Sequence, residues 1–157
     1  MANYVRLRDT ISSKEGRAYI TINGKNRELF EISRLKASLQ YKIQKRQMLG
    51  HRMVQHKVVG AEGTGEMTMY FMNSEMLQLA RQYIKEGNPG SLKLQVVNED
   101  SASSVGRQEV MLLNVMLEQV PITCLDDSSD DPVTISCSFT FDDIEVLESF
   151  ALPENYR

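Results

Sequence analysis

Several things are scarce in this chain, and each scarcity removes a class of function. Two cysteines in 157 residues, Cys124 and Cys137, are too few for a disulfide framework and are expected to be buried, reduced thiols. No apolar run approaches the ~20 residues that cross a bilayer as a helix, so no membrane partner is expected. The opening M-A-N-Y-V-R-L-R-D has no apolar h-region and no small-residue cleavage site, so no signal peptide is expected. There is no internal repeat and no low-complexity segment.

Motifs for chemistry are missing as well. Gly60, Gly63 and Gly65 form G-A-E-G-T-G, which invites comparison with a phosphate loop. Such a loop needs G-x-x-x-x-G-K-[ST] leading into a helix. Here the Lys-Ser/Thr pair is absent, Glu62 and Glu66 would repel phosphate, and a strand-like run follows. The glycines are expected instead to supply positive φ and close backbone approach. His51 and His56 lie five apart, on neither one helical face nor one strand face, and no set of four converging zinc ligands is evident. D-D-S-S-D-D lacks the spacing, glycine and closing Glu of a calcium loop. No nucleophile elbow, catalytic triad order or carboxylate pair stands out. No cofactor, metal or enzymatic activity is expected.

What is present begins with charge. Residues 1–60 hold thirteen Lys and Arg against four Asp and Glu, while residues 61–157 hold five against seventeen. Unlike ends on one molecule favour head-to-tail contacts between copies. A basic nucleic-acid-binding segment over 36–57 is the rival explanation, although Tyr41 is its only aromatic for stacking.

The pattern along the chain is mainly β. Residues 1–16 are expected to be an irregular arm. Ala18, Ile20 and Ile22 alternate with polar neighbours before Asn23-Gly24, a strong hairpin signal. A long returning strand carries Phe30 and Ile32 on one face. Its apolar parity then flips to Leu35, Ala37, Leu39, Tyr41 and Ile43, as a bulge near Ser33-Arg34 would produce. Residue types over 35–47 also suit a helix, but the period of two favours a strand. Residues 44–66 show no steady period and are expected to form a long loop.

Met67, Met69 and Phe71 resume a strand. A helix is expected over 74–87, with Asn73 or Ser74 at its start and Gly87 ending it. Its apolar stripe is Met76, Leu77, Ala80, Tyr83 and Ile84. Strands follow around Leu92–Val96, over 110–117 and over 120–125. After the acidic loop comes a last strand with Val133, Ile135, Cys137, Phe139 and Phe141 inward. The expected fold is thus a single domain, an antiparallel β-sandwich or barrel with one flanking α-helix.

The segment M-L-G-H-R-M-V-Q-H-K-V-V-G-A-E-G-T-G (48–65) resembles the tail tube proteins of PBSX-type defective prophages, the XkdM family. T-I-S-S-K-E-G-R (10–17), Y-I-K-E-G-N-P (83–89) and F-T-F-D-D-I-E-V (139–146) extend the resemblance along nearly the whole chain. It implies a structural subunit of a contractile tail, forming hexameric rings that stack head-to-tail into a hollow tube. Implied partners are further copies of the chain, the tail sheath, the baseplate initiator, and passing DNA without specific binding. It implies residence in a virion or phage-like tail particle after synthesis in the host cytoplasm.

On that footing, the 44–66 segment is the candidate inter-subunit or inter-ring arm, through Lys45, Arg46, His51, Arg52, His56, Lys57, Gly60, Gly63 and Gly65. Candidate lumen-facing residues are Thr134, Ser136, Ser138 and Thr140, or Ser38, Gln40 and Lys42. Strand parity alone does not choose between those two sets.

Overall fold

The computed structural model describes residues 4–12, 14–128 and 130–157. Residues 1–3 and 13 of the expected arm, and residue 129 of the acidic loop, lie outside that description. The architecture is mainly β and antiparallel, with one α-helix among the described residues. The strands are β1 (Gly16–Ile22), β2 (Lys25–Glu28), β3 (Ile32–Gln47), β4 (Val54–Tyr70), β5 (Leu92–Glu99), β6 (Arg107–Leu117), β7 (Thr134–Phe141) and β8 (Asp143–Glu148). The helix α1 spans Glu75–Glu86.

The strand order is β2-β1-β5-β6-β7-β4-β3, with β8 also paired to β6. Strand β6 belongs to two layers. Its first part lies between β5 and β8, whereas Met116 and Leu117 pair with β7. The change of partner follows Asn114, which adopts the left-handed region at φ 53°, a conformation that Asn tolerates better than most residues. On the opposing chain β7 becomes β8 across Asp142, whose N–H is held by Leu113 O at 3.1 Å. Each layer therefore passes continuously into the other.

The β1–β2 hairpin turns at Asn23 and Gly24, both at positive φ (50° and 86°), as a two-residue Asn-Gly turn requires. The returning strand is not continuous, contrary to expectation. Residues 29–31 break it, and β3 joins β4 rather than β1. Buried Leu29 pins the break, while Phe30 is turned out to solvent. The bulge expected near Ser33-Arg34 is present as a register shift between Ile32 and Arg34.

The core joins Ile20, Leu94 and Leu112 of one layer to Met67, Cys137 and Phe139 of the other. Met76 and Leu79 of α1 cover it at one end. Burial pushes the Cys137 thiol up to about 11, so it stays protonated at neutral pH and packs as an apolar group. Both cysteines are free thiols; Cys137 is buried and Cys124 only half-buried.

The helix begins with Asn73 Oδ1 accepting the Glu75 N–H at 2.7 Å and ends with Gly87 in the left-handed region, its N–H on Tyr83 O at 2.8 Å. Its expected stripe divides. Met76 enters the core together with Leu79, but Leu77, Tyr83 and Ile84 face outward. Arg27 of β2 ties the helix to the body, meeting Glu75 at 2.8 Å and Glu31 at 2.7 Å. Glu31 is 3% exposed. Burial works to raise its carboxyl, yet the Arg27 guanidinium and a backbone hydrogen bond outweigh that and hold it below the ordinary glutamate range.

Residues 120–125 are not a strand. Pro121 has no N–H to offer a ladder, and Val120 and Ile122 lie across a groove from the helix.

Candidate assembly surface

The 44–66 segment is not a loop. β3 continues to Gln47 and β4 starts at Val54, paired throughout, so only 48–53 form the connection. Two sequence features disguised this hairpin. A second bulge, at the register shift from Lys42–Gly60 to Ile43–Val58, inserts Val59 and breaks the period of two. The glycines further diluted the apolar signal. The turn is ordered by His51 N–H on Met48 O at 3.2 Å and by Gly50 at φ 80°, which fits a type II turn with glycine at its third position.

Gly60, Gly63 and Gly65 do not take the positive φ expected of them. All three lie in β4, and only Gly24, Gly50, Gly87, Gly90 and Gly106 have positive φ among the described glycines. The expected close approach does hold for two of them. A Cβ on Gly63 would fall 2.5 Å from the Phe141 ring, and one on Gly65 2.4 Å from the Phe139 ring and 2.7 Å from Lys36 O. Both glycines sit directly opposite these phenylalanines across the β4–β7 ladder, so the missing side chains make room for rings that fill the core. At Gly60 a Cβ would meet nothing closer than 3.7 Å.

Pairing of β4 with β7 ends at Gly63–Phe141. Beyond it β3 and β4 pair with each other alone over residues 54–62, and the hairpin projects by about 30 Å at the ~3.3 Å rise of a strand. The helix follows the other end of β4, where Tyr70 pairs with Thr134. Hairpin and helix thus lie at opposite ends of β7.

The sheet β7-β4-β3 has two unlike faces. Ser38 pairs with Thr64, and Thr64 with Thr140, so both candidate lumen-facing sets fall on one face. Thr134, Ser136, Ser138 and Thr140 come from β7, and Ser38, Gln40 and Lys42 from β3. The alternation in either strand could not reveal this, because only the register of the intervening β4 relates them. Thr68 and Ser136 hydroxyls meet across this face at 3.1 Å, and Arg34 lies 3.6 Å from Glu66. By the same parity the face carries Lys36, Lys42, Arg46 and Lys57, together with Glu62.

The opposite face is the core face, and its apolar pattern does not stop where the core stops. Leu39, Tyr41, Ile43 and Val58 continue it along the projecting hairpin, all largely exposed. The Val59 bulge returns Val58 to the side of Ile43. At the hairpin base this face opens into a cleft of about 880 Å³, lined by Leu35, Ala37 and Leu39 on one side and Val96, Val110 and Leu112 on the other. Ile144 stands at its mouth, in strand β8, every residue of which is exposed. Among the described residues, the outer edge of β3 carries no partner strand.

The expected arm residues are spread over this construction. Lys45 pairs with His56 on the core-face side, and Arg46 and Lys57 lie on the other. His51 and Arg52 are in the turn, where the His51 ring is 3.0 Å from Met53 O. Gly60 is next to the second bulge, while Gly63 and Gly65 are in the body. Sequence reasoning missed β8, a short strand in which Ile144 and Val146 alternate with Asp143 and Glu145 directly after β7. Among the described residues no group of three His, Cys, Asp or Glu gathers at metal-ligand spacing.

Comparison with known proteins follows the same lines. A family model described as phage tail tube protein matches residues 3–148. The phage-like element PBSX protein XkdM of Bacillus subtilis (strain 168) is 31% identical over 147 residues, covering 94% of this chain and 97% of the relative. A chain in the baseplate of the anti-feeding prophage superposes with TM-score 0.65 at 12% identity, over 94% of this chain and 97% of that one. A chain in the extended sheath–tube complex of an extracellular contractile injection system superposes with TM-score 0.58 at 6% identity, over 85% and 88%.

Proposed function

This chain belongs to the phage tail tube protein family, and from that premise we propose that it is a non-enzymatic structural subunit of a contractile tail tube. Copies close into hexameric rings, and the rings stack head-to-tail around a channel for DNA. The observation that carries this reading is the apolar face of the β3–β4 hairpin, which runs on past the core and is left exposed by the described residues. A solitary protein does not keep such a face exposed on a long open strand. Lateral neighbours cover it by pairing at the open edges of β3 and β8.

The polar face of β7-β4-β3 then lines the channel. Its hydroxyls offer hydrogen bonds without charge, and Glu62 and Glu66 offset part of the cationic row from Lys36 to Lys57. DNA passing along such a wall is held weakly, because affinity rises with each uncompensated phosphate–cation contact. The turn residues His51 and Arg52, with Lys45, Arg46, His56 and Lys57, belong to the arm that reaches the next ring. Sheath and baseplate initiator are the remaining partners, in a virion or phage-like tail particle whose subunits are synthesised in the host cytoplasm.

Purified protein concentrated and viewed by negative-stain electron microscopy tests the reading. Six-fold rings or hollow cylinders are the expected result. Monomers at millimolar concentration, even with the natural initiator complex present, would overturn it. Nucleic-acid binding through the basic 36–57 segment is separated by filter binding, where submicromolar affinity with a steep salt dependence would favour that rival. The arrangement speaks against it: Tyr41, the segment's only aromatic, is on the face opposite to Lys36, Lys42 and Lys57.

A further inference from the structure

The turn of the hairpin presents large apolar side chains to solvent. Leu49 is fully exposed and Met53 is 74% exposed. Around them, residues 45–57 carry Lys45, Arg46, Arg52 and Lys57 and not one carboxylate. The turn is a basic collar around an apolar knob, and its backbone is bridged by the His51 N–H on Met48 O.

A matching groove lies beside the helix. The outward stripe of α1 forms one wall with Tyr83 and Ile84, and the segment after β6 forms the other with Val120 and Ile122. Leu117 contributes to the floor, and the hollow holds about 430 Å³. Ile84 is 71% exposed here, a large apolar side chain with no cover. Glu118 lies at the groove. From it, residues 118–131 carry five carboxylates and no Lys or Arg, the reverse of the turn.

Resting on the tube reading above, we infer that this groove receives the 48–53 turn of a second copy of this chain, in the neighbouring ring. Leu49 enters between Ile84 and Ile122, and the basic collar faces Glu118, Asp126 and Asp127. Apolar burial holds the contact and the opposed charges set its orientation. Knob and groove are on different surfaces, and hairpin and helix lie at opposite ends of β7. The contact is therefore heterologous, and because it joins successive rings its repetition propagates along the stack. It gives the stack a polarity, since a turn cannot dock on a turn nor a groove on a groove.

The test is a cysteine pair, Leu49→Cys with Ile122→Cys, in a Cys124→Ser background, oxidised before and after assembly and read on a denaturing gel beside electron micrographs. An open-ended covalent ladder appearing only on assembly is expected. A ladder that stops at the number of subunits in one ring would overturn the axial assignment, placing the contact within a ring. Cylinders without a ladder would overturn the inference and leave the tube reading standing. A concentration-dependent ladder without rings or cylinders would support the contact and sink the tube reading. Neither ladder nor assembly would sink both. As a second measure, Leu49→Glu should raise the concentration needed for elongation at least about tenfold, a change of ~1.4 kcal/mol in the contact, whereas Leu49→Met should stay near wild type. Equal elongation by Leu49→Glu would overturn the inference.

Discussion

One strand, β4, shows two environments. From Gly63 to Met69 its core-facing side is buried against β7 and the opposite layer. From Val54 to Glu62 almost every residue is exposed, on both faces. Yet apolar residues keep to one side in the exposed part as they do in the buried part, and β3 opposite it does the same. Within one subunit the first pattern is explained by burial and the second is not. The contrast teaches that an alternation can be satisfied by a surface outside the chain, which is why the projecting hairpin, and not the body, carries the functional reading.

If that division is right, substitutions at the two ends should differ in what they damage. The largest effect is expected at Arg27. Arg27→Ala leaves Glu31 buried without its guanidinium and frees Glu75 of α1, and should lower the unfolding free energy of the monomer by about 3 kcal/mol, measured by urea denaturation. A loss below ~1 kcal/mol would show that the helix is not anchored by this triad.

Next is Gly65→Ala, where the new Cβ meets both the Phe139 ring and the Lys36 carbonyl. It should cost about 2 kcal/mol, whereas Gly60→Ala, whose Cβ would meet only the Lys42 side chain at an ordinary 3.7 Å, should stay within about 0.5 kcal/mol. Equal effects at the two sites would erase the boundary between body and projection.

Acid should act on the body alone. The Glu31 carboxyl is held below its ordinary range in the folded state, so the unfolded chain takes up its proton first as pH falls. The stability it contributes is present at neutral pH and is lost as pH drops through the carboxylate range and past the folded value. Urea midpoints compared at about pH 7 and about pH 3 should fall for the wild type, and the Glu31 contribution to that fall should be absent in Arg27→Ala.

The smallest effect on the monomer is expected at the hairpin. Ile43→Ser should change monomer stability by no more than about 0.5 kcal/mol while impairing assembly as judged by micrographs. A large loss of monomer stability would mean that the face is already covered within the subunit.

Much of the body was legible in the sequence. Asn23-Gly24, the bulge at Ser33-Arg34, the helix with its Gly87 stop and the inward row Ile135, Cys137, Phe139, Phe141 follow from local chemistry or from a one-sided burial that leaves a clean period. The hairpin beyond Ile43 was not legible as β, because its second bulge and its glycines answer to Val59 and to rings on β7 that are distant in sequence. β8 was lost for a different reason, since its alternation of Ile144 and Val146 with Asp143 and Glu145 is short and comes directly after β7. The helix stripe was read correctly as apolar, but its outward half belongs to no core. For the candidate site, residue types singled out the 44–66 segment, while the fact that both hydroxyl-bearing and lysine-bearing rows share one face depends on register and on nothing local.

The kink at Asn114 has a mechanical corollary. Because β6 runs without interruption from one layer into the other, and β7 passes into β8 across the single residue Asp142, the two layers are joined by covalent chain and ladder hydrogen bonds as well as by packed side chains. A push on either layer is passed on through bond geometry, with little slack for the layers to slide. A cylinder built from such units would resist ovalisation when squeezed from outside, and its bore would keep its width under load.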